Sequence, residues 1–199
     1  KTIIFDLGGV YFSDGVKKLV DTLSQKYGLE RIAIAKALED PLASDYRMGK
    51  VSEDTFWDAM KKQWGISESS QSLALLWHTQ YVPIDGMVHL VDKLKDAGFE
   101  LLFLSDNIPQ RVEYLEKKYN FTRHFSDGVY SHHIGARKPD IKMYEEVLKK
   151  TKSRPEECVF IDDKQKNLIP AQKIGMKTIH FISPDQLLEE LQQLGIAIQ

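Results

Sequence analysis

The chain has 199 residues, 42% hydrophobic and 28% charged, which suits a globular protein with one main core and a small appended domain and excludes a disordered segment. Its 27 basic and 29 acidic residues leave a formal net charge of -2, and the basic residues are spread along the chain, so a nucleic-acid or membrane-surface role gains no support. The single cysteine, Cys158, lies in an apolar run, and no stretch approaches the roughly 20 apolar residues of a membrane span. The expectation is an unexported, cytoplasmic protein without an internal disulfide.

In chain order, Thr2 to Phe5 is the first short apolar run and reads as a buried strand. From Asp14 to Val82 there are amphipathic stretches, Val16 to Tyr27 and Ile32 to Leu38 among them, but no convincing strand. This predicts a helical insertion. Its second half carries Tyr46, Phe56, Trp57, Trp64, Trp77 and Tyr81, expected to form a small core of their own. Asp85 to Ala97 has apolar residues at Met87, Val88, Val91 and Leu94, close to a period of 3.6, and Gly98 stands where that helix would end. Glu100 to Leu104 is the next strand, Pro109 opens a helix running to about Tyr119, and Asp140 to Lys150 forms another. Val159 to Ile161 and Lys177 to Phe181 complete the strands. Strands alternating with helices imply an α/β fold, a Rossmann-like parallel sheet flanked by helices. Residues 1–14 and 83–199 would form this core and 15–82 a small all-α unit inserted after the first strand.

Ligands of open parallel sheets sit at the carboxyl ends of the strands. The polar motifs fall there: Asp6 after the first strand, Ser105 to Asn107 after the second, and Asp162-Asp163 after a later one. Each alone reads as a turn or helix cap. Together they predict one site at one edge.

These residues carry a resemblance. Ile3-Ile4-Phe5-Asp6-Leu7-Gly8-Gly9-Val10 resembles the first motif of haloacid dehalogenase superfamily hydrolases, a hydrophobic strand ending in a nucleophilic aspartate. Phe103-Leu104-Ser105 resembles the second motif, Arg137-Lys138-Pro139 the third, and Phe160-Ile161-Asp162-Asp163 with Asn167 the fourth. The resemblance implies a helical cap between the first strand and the rest of the core. It also implies a phosphatase that forms a transient aspartyl-phosphate on Asp6 with the help of magnesium.

On that resemblance, magnesium would be held by the Asp6 carboxylate, the backbone carbonyl of Gly8 and the Asp163 carboxylate, with Asp162 and Asn167 close by. The ion would neutralise charge that otherwise keeps a carboxylate from attacking a phosphate dianion. Lys138 would hold a phosphate oxygen and restrain Asp6. The Ser105 hydroxyl, the N–H groups of Asp106 and Asn107, and the glycine pair Gly8-Gly9 would complete the phosphate site.

Two departures stand out. The commonest phosphatase pattern of the superfamily has a second aspartate, the general acid/base, where this chain has Gly8, and such a group is worth about 10²–10⁴ in rate. Asp106 stands where asparagine is frequent, either repelling phosphate or supplying the missing proton. Asp-Leu-Gly, Arg-Lys-Pro and the Asp-Asp-x-x-x-Asn ending are similar to the α-D-glucose-1-phosphate phosphatase branch, and the soluble epoxide hydrolase phosphatase-domain group is also similar. An anomeric sugar phosphate has a leaving group that depends less on protonation, so a small phosphorylated metabolite of the sugar 1-phosphate type is the expected partner of a monomer or homodimer. Arg47, Lys50 and His78 of the insertion are expected at the solvated surface. The competing readings are a catalytically silent phosphate-binding member and a 2-haloacid dehalogenase; the acidic pair Asp162-Asp163, costly without a cation, speaks against the latter.

Overall fold

A computed structural model of the chain describes residues 1–196. Five parallel strands, β1 (Thr2–Phe5), β2 (Glu100–Ser105), β3 (Asp127–Tyr130), β4 (Cys158–Asp162) and β5 (Lys177–His180), form one sheet in the order β3-β2-β1-β4-β5. β1 is central, with Phe5 level with Phe103 on one side and Ile161 on the other. Successive side chains of a strand point to opposite faces, so a sheet covered on both sides needs unbroken apolar runs. Here Ile3, Phe5, Leu101, Phe103, Val159 and Ile161 share one core cluster, while Ile4, Leu102, Leu104 and Phe160 join Met143, Tyr144, Val147 and Ala171 in the other. Cys158 is fully buried in the second cluster.

Between β1 and β2 lie α1 (Gly15–Tyr27), α2 (Arg31–Ala37), α3 (Pro41–Arg47), α4 (Glu53–Trp64), α5 (Ser70–His78) and α6 (Asp85–Asp96). Capping explains the local boundaries: the side chains of Asp14, Asp40, Ser52 and Ser69 accept hydrogen bonds from first-turn N–H groups, satisfying donors that a helix start leaves free. The connections into and out of α1–α5 run side by side, with Ser13 N–H donating to Val82 O and Ile84 N–H to Tyr11 O, at 2.8 and 3.0 Å. Tyr46 stacks on Phe56 at 4.6 Å and Trp57 meets Trp77 edge-on at 5.8 Å. These aromatics belong to the same apolar cluster as Phe5 and Phe103, so the separate small core expected from composition is continuous with one side of the sheet.

The remaining helices are α7 (Pro109–Tyr119), α8 (Ser131–Ile134), α9 (Ile141–Leu148), α10 (Gln165–Lys173) and α11 (Pro184–Gln193). β3 goes beyond the four strands expected from sequence. It is a four-residue edge strand opening with Asp127-Gly128, turn-forming types, and Gly128 is needed because a Cβ there would meet the Phe103 ring at 2.2 Å. His132 and His133 lie on α8.

Candidate active site

The crevice where strand order reverses lies between the carboxyl ends of β1 and β4. Asp6 sits there, its N–H continuing the ladder to Ile161 O at 2.8 Å. Its Oδ1 accepts from the N–H of Leu7 at 2.7 Å and pairs with Lys138 Nζ at 2.8 Å. Lys138 Nζ also donates to Asp162 Oδ2 at 2.7 Å, so one ammonium bridges two buried carboxylates. Burial alone would lower the Lys138 pKa, but Asp162, Asp6 and Asp106 outweigh it and hold the group above its ordinary range. Burial, opposed by Lys138 and reinforced by Asp162 and Asp163, pushes Asp6 up to about 8.

Asp162 is fully buried and saturated with donors: Asn167 Nδ2 reaches both its oxygens at 2.9 and 3.0 Å, and the N–H of Lys164 donates to Oδ1 at 2.8 Å. Asp163 is the opposite case. Its Oδ1 is enclosed and has no partner among the described residues, and burial followed by the charge of Asp162 raises its pKa. One oxygen each from Asp6, Asp162 and Asp163 lie within 4.8 Å of one another. Three carboxylates against one ammonium leave a negative surplus when all are ionised, and the unpartnered Asp163 oxygen marks where a hard divalent cation fits. Gly9 makes this approach possible, since a Cβ there would stand 2.6 Å from Asp163 Oδ2 and its φ of 94° disfavours any side chain.

Ser105, at the end of β2, is buried beside the cavity. Asp106 also lines the cavity, where its Oδ1 accepts from the N–H of Lys138 at 3.0 Å and its Oδ2 from Arg137 Nε at 3.2 Å. Asp106 therefore orients the segment that carries Lys138, with both oxygens of its carboxylate engaged. The N–H of Asn107, expected to bind a phosphate oxygen, donates instead to Ser131 Oγ at 2.9 Å, and its side-chain oxygen accepts from the N–H of Ile108.

The insertion supplies the opposite wall. Tyr81 lies against both Gly8 and Gly15, where a Cβ would stand 3.1 Å and 2.2 Å from its ring atoms, and Arg111 lies over its face at 4.5 Å. Arg47 is 3% exposed and lines the same cavity, about 50 Å³ in volume, as Asp6, Gly8, Ser105 and Lys138. Two expectations are corrected here. Arg47 and His78 are buried, and only Lys50 of that trio is exposed. For Arg47 a signal existed: Ala43, Tyr46 and Arg47 share one face of α3 at helical spacing, and all three are buried. Tyr81, Arg111 and Ser131 carried no local signal of a place in or beside the site.

The family model of haloacid dehalogenase-like hydrolases matches residues 3–181. The chain is 30% identical to a sesquiterpene phosphatase of Aspergillus oryzae, over 98% of this chain and 96% of that one. Among solved structures it resembles a haloacid dehalogenase-like family hydrolase from Porphyromonas gingivalis, with a TM-score of 0.76 and 20% identity over 99% of this chain and 98% of the other. A family enzyme from Bacteroides thetaiotaomicron, solved with magnesium and inorganic phosphate, gives a TM-score of 0.73 at 19% identity, over 90% and 92% of the two chains. At these identities the two structural likenesses show a shared fold.

Proposed function

The chain belongs to the haloacid dehalogenase-like hydrolases, and from that premise we propose that it is a magnesium-dependent phosphomonoester hydrolase acting through an aspartyl-phosphate on Asp6. The observation that carries this reading is the Asp6-Lys138-Asp162 chain of contacts beside the partnerless Asp163 oxygen, with Asp6 and Lys138 lining one cavity. Lys138 holds Asp6 and faces an incoming phosphate oxygen, Ser105 donates its hydroxyl to another, and Asp6 attacks phosphorus. Asp6, Asp163, the Gly8 carbonyl and Asp162 would hold magnesium, which would supply the charge neutralisation that lets two anions meet. The magnesium and phosphate of the Bacteroides structure and the named activity of the Aspergillus relative support the assignment. Residues 15–82 act as a cap domain over a core of 1–14 and 83–199, which is supported by the paired connections at Ser13 and Val82. No helix among the described residues is long and apolar enough to cross a membrane, and we place the activity in the cytoplasm on small metabolites.

For the leaving group, the glycine at position 8 favours sugar 1-phosphates, whose departing oxygen needs little protonation. A second reading rests on a specific feature. Val16, Val20, Ile32 and Ala35 line a groove of about 400 Å³ that shares Asp14, Val16 and Lys164 with the cavity beside Asp6, and Ile32 is 83% exposed. The phosphate ester of an apolar alcohol would lay its chain there, in keeping with the relative named a sesquiterpene phosphatase.

The deciding experiment measures phosphate release from sugar 1-phosphates, sugar 6-phosphates, prenyl and alkyl phosphates, nucleoside monophosphates and an aryl phosphate, with and without magnesium, beside an Asp6→Asn control. Magnesium-dependent release that the control lacks is the expected outcome. Protein that binds magnesium and releases nothing would be a silent binding module instead.

A further inference from the structure

One cation at the cavity is left unsatisfied by the protein itself. Arg47, at the end of α3, donates through Nη1 to Leu38 O at 2.7 Å, and its guanidinium lies 5.3 Å from the centre of the Trp77 ring. Its Nη2 is enclosed and has no hydrogen-bond partner among the described residues. Keeping a charged donor buried and unpaired is costly, so a group that arrives only with substrate is the natural acceptor. The other cations lining the cavity are engaged or solvated: Lys138 with Asp6 and Asp162, Arg137 with Asp106 and with Glu39 at 3.6 Å, and Lys164 exposed. Arg111, whose Nε and Nη2 also lack partners among the described residues, lies over the Trp77 and Tyr81 rings at 4.1 and 4.5 Å and not in the cavity lining.

Arg47 is also held in place relative to the reacting groups. Its carbonyl accepts from Ser131 Oγ at 2.6 Å, and that same oxygen accepts from the N–H of Asn107, two residues beyond Ser105. The end of α3 is thus tied through one hydroxyl to the loop that flanks the phosphate site. In-line displacement at phosphorus puts the departing oxygen on the side opposite the attacking Asp6 oxygen. Asp6 belongs to the core, so the departing oxygen faces the insertion, which is the side that carries Arg47. A side chain at position 8, where a general acid would stand, would crowd the Tyr81 ring, its Cβ lying 3.1 Å from Cε1.

We propose that Arg47, through Nη2, donates the hydrogen bond that stabilises the departing oxygen, in place of the proton donor absent at Gly8. This rests on the phosphatase reading above. In the step concerned, an Asp6 carboxylate oxygen bonds to phosphorus and the bond from phosphorus to the leaving oxygen breaks. The electron pair goes to that oxygen, which takes its proton from solvent water as it leaves; the guanidinium keeps all its protons. Burial first, and the charge of Arg137 second, bring the Arg47 pKa down to about 10, which makes its N–H a stronger donor while leaving it charged at neutral pH. Arg47 is therefore a catalytic residue whose worth grows with the basicity of the leaving group.

The test compares the parent, Arg47→Ala and Arg47→Lys on an alkyl phosphate and on a nitrophenyl phosphate, with magnesium saturating. Removing one donor of this kind typically costs about 10²–10³ in rate. The expected result for Arg47→Ala is a loss of that size on the alkyl ester and of less than about fivefold on the nitrophenyl ester, whose leaving group needs no help. Guanidinium ion added at millimolar concentration should restore part of the alkyl activity of Arg47→Ala, and Arg47→Lys should fall between the two. Equal losses on both esters, without guanidinium rescue, would overturn the proposal and leave Arg47 a packing residue. If Arg47→Ala does not fold, the same comparison is made with Arg47→Lys, where an equal loss on both esters has the same meaning. A parent that releases phosphate from neither ester would overturn the phosphatase reading as well.

Discussion

The Tyr81 ring crowds position 8: a Cβ on Gly8 would lie 3.1 Å from Tyr81 Cε1. Residues 73 positions apart thus bear on one departure from the family pattern, because a side chain at position 8 needs the ring to give way. Gly8→Asp alone is expected to leave alkyl phosphate turnover unimproved and to cost about 1–3 kcal/mol, the usual penalty of overpacking. Gly8→Asp combined with Tyr81→Ala makes room for the acid and should exceed Tyr81→Ala alone by about tenfold or more on alkyl esters. Steady-state kinetics and thermal melts of the three variants check both statements.

Gly9 faces Asp163 at contact distance and has a positive φ. Gly9→Ala should therefore displace the Asp163 carboxylate, weakening magnesium binding by about 10–100-fold, as loss of a supporting contact at a metal site does. Isothermal titration with magnesium reads this directly, and wild-type affinity in the variant would contradict the metal assignment of Asp163.

Asp6 is pushed up to about 8 in the metal-free protein, chiefly by burial. An acid raised in the folded state holds a proton that the unfolded chain has lost, so its contribution to stability is complete below the ordinary carboxylate range and disappears as pH rises towards 8. Metal-free protein should lose up to about 1.4 kcal/mol per pH unit across that window from this group. Magnesium must displace the same proton, so its apparent affinity should rise with pH up to about tenfold per unit until pH 8. Melting curves in chelator and in saturating magnesium, from pH 5 to 8.5, test the pair: a stability that is flat with pH in chelator is the contrary result.

Asp106 engages Arg137 Nε and the N–H of Lys138 through separate oxygens. In Asp106→Asn the amide keeps one acceptor and turns an NH₂ towards the other donor, so Lys138 should be held less firmly and kcat should fall by about tenfold, the order of one lost hydrogen bond. The pH profile should keep its shape, because Asp106 moves no proton. Loss of one limb of the profile would restore the proton-donor role to Asp106.

The sequence by itself determined the sheet and the polar edge of this protein. Apolar runs buried on both faces identify β1, β2 and β4 through local pattern alone, and a residue that ends such a run, Asp6, Ser105 or Asp162, comes to the strand terminus whatever the rest of the chain does. The approach of Asp6 and Asp162 followed from that order of motifs, while Lys138 beside Asp6 was expected only from the family resemblance and its contact with Asp162 came from the structure. What only the tertiary structure decided is how groups from separate elements face one another. Asp106 lines the cavity with both oxygens engaged because its donors come from residues 137 and 138, and Asn107 N–H is taken by Ser131. Arg47 and Tyr81 reach the cavity because five helices pack over the sheet edge and bury them there. Hydrophobic periodicity reports which face of an element is buried. It does not report what that face is buried against, and the chemistry at Gly8 depends on that second fact.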